Sequence, residues 1–137
     1  MKYMRVYISG KIGEEVISEA TREKFARAER MLERHFNTEF DMIVNPASEA
    51  FQDAMRQAFE WRELRRNLPD ILLFDLQWLR TCDAIYMLAD WTDSDGANVE
   101  LDFARATKKR IFWEREEDAQ MNSEDFNNYE DAWLPIK

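Results

Sequence analysis

The chain has 137 residues, of which 45% are hydrophobic and 34% charged, with one cysteine and a formal net charge of −9 at pH 7. This composition favours a single domain over residues 1–137 and excludes an intrachain disulfide, and the acidity disfavours binding to nucleic acid or to an anionic membrane. We expect a cytoplasmic protein, because residues 1–10 lack the apolar run of a signal peptide or a membrane span.

The chain begins with a strand pattern that is followed by a helix pattern. Residues 2–9 are apolar, β-branched or aromatic in most positions and lead to Gly10 and Gly13, which predicts a buried strand and a tight turn. Apolar residues then recur at spacings of three and four, which predicts an amphipathic helix that ends near Asn37. Its inner stripe comprises Phe25, Ala28, Leu32 and Phe36.

A second strand and a second helix are predicted next. The strand covers residues 40–46 and ends at Asn45-Pro46, because the residue before a proline is pushed into an extended conformation. A helix restarts at Ser48 and continues until Pro69 interrupts it. The residues of its apolar face are Phe51, Ala54, Met55, Ala58, Phe59 and Leu64.

The same alternation continues through the second half of the chain. We expect a helix over 70–80, a strand over 82–89, a helix over 97–109 and a strand over 110–113. Alternating strands and helices predict a doubly wound α/β fold, in which a parallel sheet of four to five strands lies between two helical layers. The inward residues of the helix over 97–109 are predicted to be Val99, Phe103 and Ala106.

Residues 114–137 form an acidic C-terminal extension with late aromatic residues, Phe126, Tyr129 and Trp133. We expect a final helix there that packs either on the edge of the sheet or on a second subunit.

Ligands of doubly wound sheets bind outside the carboxyl ends of the strands, where the strand order reverses. In this chain that edge comprises residues 9–13, 45–46 and 90–96. The polar side chains near it are carboxylates and hydroxyls, namely Tyr7, Ser9, Asp75, Asp83, Ser94 and Glu100.

Other kinds of site are excluded by spacing. "SGKIG" lacks the first glycine of a P-loop and the Ser/Thr after its lysine, and "DWTDSDG" does not place calcium ligands at the required positions. His35 is explained by the end of a helix and Cys82 by the start of a buried strand. We therefore expect no metal and no cofactor.

Periodicity alone leaves the roles of the polar residues open. Glu100 falls in the first turn of a predicted helix, where an ionised carboxylate is favoured, but most glutamates there are surface residues that stabilise the helix. Ser94 and Asp95 likewise have an ordinary structural interpretation, as N-terminal caps of the same helix. Asp75 could be a partner for a helix dipole, and Tyr7 a core residue.

Three blocks of the sequence favour specific roles for these residues. "VYISGKIG", "DLQWLRTCDAIYML" and "SDGANVELDFA" resemble, in this order, the signatures of the nucleoside 2-deoxyribosyltransferase superfamily and of its nucleotide N-glycosidase branch. The resemblance extends from Tyr7 to about Arg110 and implies a flavodoxin-like version of the fold. It also implies that residues 1–137 are one deoxyribosyltransferase-like domain.

The resemblance implies a role for each residue that matches a signature position. Glu100 would be the nucleophile that attacks C1′ of the sugar, Tyr7 would orient it, and Asp75 would be the acid that faces the base. Ser94 stands where transferases carry an aspartate for the 5′-hydroxyl and where relatives that act on 5′-monophosphates carry a serine. The substrate-binding candidates along the ligand edge are Ser9, Gly10, Lys11, Gly13, Asn45, Asp83, Trp91, Ser94 and Gly96.

The expected function is cleavage or transfer at the N-glycosidic bond of a nucleoside or its 5′-monophosphate, through a covalent glycosyl-glutamate. Two alternatives remain open: a protein that binds a nucleotide or a nucleotide signal without turnover, and an acidic protein-interaction domain. The resemblance also implies a homodimer or a larger homo-oligomer in which a neighbouring subunit closes the pocket. Tyr129 and Trp133 are candidates for that contact, unless they pack within their own chain.

Overall fold

The computed structural model describes residues 4–13, 16–36, 42–61, 67–123 and 128–136. In chain order the elements are β1 (Arg5–Ser9), α1 (Glu19–His35), β2 (Met42–Val44), α2 (Glu49–Trp61), α3 (Leu68–Arg80), β3 (Ala84–Met87), a 3₁₀ turn (Trp91–Asp93), α4 (Asp95–Ala106), β4 (Arg110–Trp113), α5 (Glu116–Asn122) and α6 (Tyr129–Ala132).

The four strands form one parallel sheet in the order β2-β1-β3-β4. Tyr7 in β1 is paired with Val44 of β2 on one side and with Ile85 of β3 on the other. The chain moves outward from β1 to β2 and then returns to add β3 on the opposite side of β1. The strand order therefore reverses between β1 and β3, which is where a doubly wound sheet binds its ligands.

Helices cover both faces of the sheet, so the predicted three-layer α/β/α architecture is confirmed. Side chains alternate along a strand, and in β1 this sends Val6 and Ile8 into a core with the α1 residues Phe25 and Leu32. Tyr7 points the other way, into a core formed with α2, α3 and α4.

Three of the four strands, β1, β2 and β3, are shorter than the sequence pattern predicts. β1 begins at Arg5 rather than at residue 2, and β3 covers four residues rather than eight. Pro69 does not lie between two helices but in the first turn of α3, which Asn67 caps by accepting a hydrogen bond from the Asp70 N–H. Proline suits that turn because the N–H groups there have no partner within the helix. The parts of the predictions that fall on residues 2–3, 37, 40–41, 64 and 126 lie outside the described residues.

The predicted inner face of α4 is wrong for Val99 and Ala106, whereas Phe103 packs against the core as a partly buried residue. Val99 is 40% exposed, Phe103 is half-buried and Ala106 is exposed. The inward residues are instead Ala97, Glu100, Leu101 and Ala104. These four positions have the spacing of the inner face of an amphipathic helix, but one of them is a glutamate. A search for apolar residues alone therefore selects a neighbouring face of the helix.

The C-terminal extension packs on the edge of the sheet beyond β4. Trp133 forms a parallel bridge with Trp113, and the N–H of Leu134 donates to the carbonyl of Trp113 at 2.9 Å. The Tyr86 hydroxyl, from inside the sheet, donates to the Leu134 carbonyl. Of the two locations that the sequence left open for this segment, the structure shows packing against the sheet of its own chain.

Candidate active site

A cavity of about 680 Å³ opens at the carboxyl end of the sheet, where the strand order reverses. Its size falls in the usual range for small-molecule sites. The loop after β1, the start of α4 and the facing sides of α2 and α3 form its walls. Seven of the predicted site residues outside β1 line it: Gly10, Lys11, Gly13, Asp75, Ser94, Gly96 and Glu100.

Glu100 and Tyr7 lie at the base of this cavity. The Glu100 side chain points inward from α4 and is only 5% exposed. The Tyr7 hydroxyl donates to Glu100 Oε2 at 2.5 Å, and the Ser9 hydroxyl donates to Oε1 at 2.8 Å. Glu100 is therefore not a helix-stabilising surface residue, because both of its carboxylate oxygens are engaged by β1.

The protonation of this group is set by two opposing effects. Burial raises the pKa of Glu100 to about 7, although the hydrogen bonds from Tyr7 and Ser9 favour the charged form and lower it. Burial also raises the pKa of Tyr7 well above its ordinary value, and the charges of Asp75 and Glu100 raise it further. Tyr7 thus stays a neutral donor at neutral pH, whereas Glu100 titrates near that pH.

Asp75 brings a second carboxyl group to the same cavity. It lies in α3, is 8% exposed and lines the wall that faces α4. Asp75 and Tyr7 line the same cavity, and the charge of Asp75 raises the pKa of the Tyr7 hydroxyl. Two buried carboxyls from different helices therefore share one hollow with a tyrosine.

The loop after β1 is fixed against the loop after β3. Asp90 accepts a hydrogen bond from the Lys11 N–H at 3.0 Å and pairs with Lys24 at 2.6 Å, and Lys24 also donates to the Lys11 carbonyl. Gly13 has a φ of 59°, a left-handed conformation that glycine adopts without strain. A Cβ on Gly10 would lie 2.6 Å from the Leu88 side chain, so this position requires glycine for close packing.

The start of α4 forms the opposite rim of the cavity. Ser94 caps the helix by accepting from the Ala97 N–H at 3.1 Å, and its hydroxyl retains a hydrogen to donate. Gly96 presents backbone without a side chain at the same end. Asp93 and Asp95 are exposed but also line the rim, and they add negative charge beside the helix N-terminus.

The structure does not bring every predicted residue to the cavity. Asp83 precedes β3 and accepts from the Arg5 N–H, at the amino end of the sheet. A strand of four residues spans roughly 13 Å, which separates Asp83 from the ligand edge. Asn45 is buried and accepts from the Ala47 N–H, while its neighbour Pro46 lines the cavity.

Trp91 and Ser9 also have other contacts. The Trp91 ring packs against Trp113 at 5.5 Å between centroids, and its Nε1 donates to Asp118 in the C-terminal extension. The side chain of Ser9, one of the substrate-binding candidates, donates to Glu100.

Sequence reasoning missed other parts of the site. Gln52 lines the cavity from the first turn of α2 and donates to the Pro46 carbonyl at 2.7 Å. It could have been found from its position shortly after the predicted strand end at Asn45-Pro46. Lys24 and Asp90 lie 66 residues apart, and no local pattern links them. The missed apolar wall residues are Ile12, Ile17, Phe25, Met55, Leu68, Ile71 and Leu72.

Across the described ranges, no group of three or more His, Cys, Asp or Glu side chains could hold a metal ion. None of the helices in the same ranges has the length and apolar character needed to cross a bilayer.

Residues 4–113 match a protein family described as a domain of unknown function, DUF4406. The chain belongs to the DUF4406 family. The match begins just before β1 and ends with the last residue of β4, so it contains the sheet and the whole cavity. No curated protein and no solved structure matches the chain.

Proposed function

We propose that this DUF4406 protein cleaves or transfers at the N-glycosidic bond of a nucleoside or its 5′-monophosphate, with Glu100 as the nucleophile. The observation that carries the proposal is the buried Glu100 carboxylate, hydrogen-bonded by Tyr7 and Ser9 in a cavity that also contains Asp75. A buried carboxyl with a pKa near 7 destabilises a fold, and such groups concentrate at functional sites. The sequence resemblance to the nucleoside 2-deoxyribosyltransferase superfamily assigns the same residues.

The chemistry requires two acidic groups with different tasks. One oxygen of ionised Glu100 donates an electron pair to C1′, while the pair of the C1′–N bond leaves with the base. The base takes a proton from Asp75 or from water that Asp75 orients. Water, or the nitrogen of a second base, then adds to C1′, restores the Glu100 carboxylate and loses a proton to solvent or to Asp75.

The cavity also supports a place for the rest of the substrate. Its wall of aliphatic side chains from α2 and α3 suits the faces of a planar base. The start of α4 offers the Ser94 hydroxyl and backbone N–H groups to the 5′ end of the sugar. Lys11 is the only cation among the described residues that line the cavity, whereas Asp93 and Asp95 repel a phosphate there.

The test is release of free base. The purified protein is incubated with a panel of nucleosides and 5′-mononucleotides, and free base is followed by chromatography. We expect Glu100→Gln to lower the rate at least about 10³-fold, because the variant keeps the shape of the site but lacks a nucleophile. Asp102→Asn is the matched control, since Asp102 is an exposed acid on the same helix.

Base release that survives in Glu100→Gln would contradict the assigned nucleophile. Stabilisation by a nucleotide without any base release would support binding without turnover instead.

A further inference from the structure

Ser9 has no substrate-facing role that explains its position. It is the last residue of β1, it is 1% exposed, and it is not among the described residues that line the cavity. Its hydroxyl nevertheless donates to Glu100 Oε1 at 2.8 Å. Because side chains two apart on a strand share a face, Tyr7 and Ser9 reach the two oxygens of the same carboxylate from one strand.

We propose that Ser9 is a positioning residue for Glu100, which fixes the orientation of the carboxylate and keeps it ionised for attack on C1′. The inference rests on the proposed function for its catalytic meaning. Two donors on two different oxygens fix the plane of the carboxylate, whereas one donor leaves it free to rotate about that contact. Preorganisation of this kind lowers the reorganisation needed to reach the transition state.

The second part of the role is electrostatic. Hydrogen bonds to the charged form of a carboxyl favour ionisation, and they count most where water is excluded. The same donor would stabilise Glu100 as the leaving group when the glycosyl ester breaks down. The charged and titratable groups that line the cavity around Glu100 are Tyr7 of β1, Lys11 of the following loop, Asp75 of α3, and Asp93 and Asp95 at the start of α4.

None of these groups replaces the Ser9 hydroxyl on Oε1. Tyr7 already donates to Oε2, and the Lys11 backbone is engaged with Asp90 and Lys24. The three aspartates add negative charge near Glu100 when they are ionised, and this charge disfavours ionisation of Glu100. Loss of the Ser9 hydroxyl should therefore make Glu100 harder to ionise.

The experiment measures the ionisation of Glu100 without any substrate. The carboxyl carbons of glutamate are labelled with ¹³C, the Glu100 resonance is assigned by its loss in Glu100→Gln, and its pKa is read from an NMR titration. We expect Ser9→Ala to raise the pKa of Glu100 by about one pH unit, which is the usual strength of one buried hydrogen bond to a charged group. Ser9→Thr retains the hydroxyl and should restore the pKa to within a few tenths.

Ser48→Ala is the matched control, because the Ser48 hydroxyl caps α2 by accepting from Phe51 and does not touch Glu100. The rising limb of the pH profile of base release should move with the titration in Ser9→Ala and stay in place in Ser48→Ala. Should Ser9→Ala not fold, Ser9→Cys retains a weak donor of similar size and should give a smaller rise in the pKa of Glu100.

An unchanged pKa of Glu100 in Ser9→Ala would overturn the inference, even with base release by the wild-type protein intact. Absence of base release from the wild-type protein would instead overturn the proposed function. In that case a raised pKa of Glu100 in Ser9→Ala would still support the conclusion that the Ser9 hydroxyl stabilises the ionised form of Glu100.

Discussion

At the scale of single residues, Glu100 links the proposed activity of the site to the stability of the fold. In the unfolded chain its pKa has the ordinary value of 4.5, and in the folded protein it is about 7. The folded state therefore holds this proton more tightly, and the contribution of Glu100 to stability is fully present below pH 4.5 and is lost as the pH rises to 7. The ionised form that the proposed chemistry needs is the form that destabilises the protein.

This linkage predicts that Glu100→Gln is more stable than the wild-type protein at pH 8. The gain should be about 3 kcal/mol, since one pH unit of pKa displacement corresponds to about 1.4 kcal/mol, and it should vanish near pH 4.5. Urea unfolding of both proteins between pH 4.5 and pH 8 measures it. Asp102→Asn removes an exposed acid of the same helix and should shift stability by less than about 0.5 kcal/mol across that range. A constant difference between Glu100→Gln and the wild-type protein over the titration would contradict the high pKa.

At the scale of elements, α1 and α4 begin with the same kind of cap but in different surroundings. Ser18 accepts a hydrogen bond from the Thr21 N–H, and Ser94 accepts one from the Ala97 N–H. Only Ser94 lies on the rim of the cavity. Substitution of each serine can therefore be compared to distinguish an effect on folding from an effect on ligand binding.

We expect Ser18→Ala and Ser94→Ala each to lower the free energy of unfolding by about 1 kcal/mol. Only Ser94→Ala should also reduce the thermal stabilisation by a 5′-monophosphate relative to that by the matching nucleoside, because it removes a donor to the phosphate. Thermal unfolding with and without each ligand measures both effects. Equal stabilisation of the wild-type protein by nucleoside and monophosphate would contradict the role of Ser94 in binding phosphate.

The elements were largely predictable from the sequence because strand and helix periods are local. β4 has the predicted bounds, Arg110–Trp113, and α1 ends at His35 beside the predicted terminus. The inner face of α4 was not predictable in this way, because its stripe contains a buried acid. Pro69 was misread because proline is tolerated in the first turn of a helix as well as between helices.

The location of a site residue was predictable where the order of the strands determines it. It was not predictable where it depends on a contact between residues that are distant in the sequence. Tyr7, Asp75 and Glu100 meet because the loops and helices after parallel strands share one edge of the sheet. Asp83 was wrongly placed at the ligand edge, although the predicted strand over 82–89 already put it at the amino end, where the structure has it just before β3. The pairing of Lys24 with Asp90 depends on tertiary structure alone.

At the scale of the whole molecule, the two buried tyrosines of the sheet contact different parts of the protein, the proposed nucleophile and the C-terminal extension. Tyr7 donates to Glu100, whereas Tyr86 donates to the carbonyl of Leu134 in the C-terminal extension. Both are fully buried, and burial raises the pKa of each above its ordinary value. Removal of the Tyr7 hydroxyl should therefore affect the proposed activity, and removal of the Tyr86 hydroxyl should affect stability.

We expect Tyr86→Phe to destabilise the protein by about 1 to 3 kcal/mol, because it leaves the Leu134 carbonyl buried without its donor. Amide hydrogen exchange at Leu134 should become faster, while base release per folded molecule stays at the wild-type rate. Tyr7→Phe should instead lower base release. Slow exchange at Leu134 in Tyr86→Phe would show that the extension does not depend on this contact.

The extension has a further consequence for how chains meet in solution. By pairing with Trp113 it occupies the carboxyl end of one outer strand, and the opposite outer strand, β2, is only three residues long. A fibril grows when a second chain finds a long bare strand on which to add its own backbone. Within the part of the chain that the structure describes, neither outer strand offers such a template, so concentrated solutions should resist amyloid-like growth.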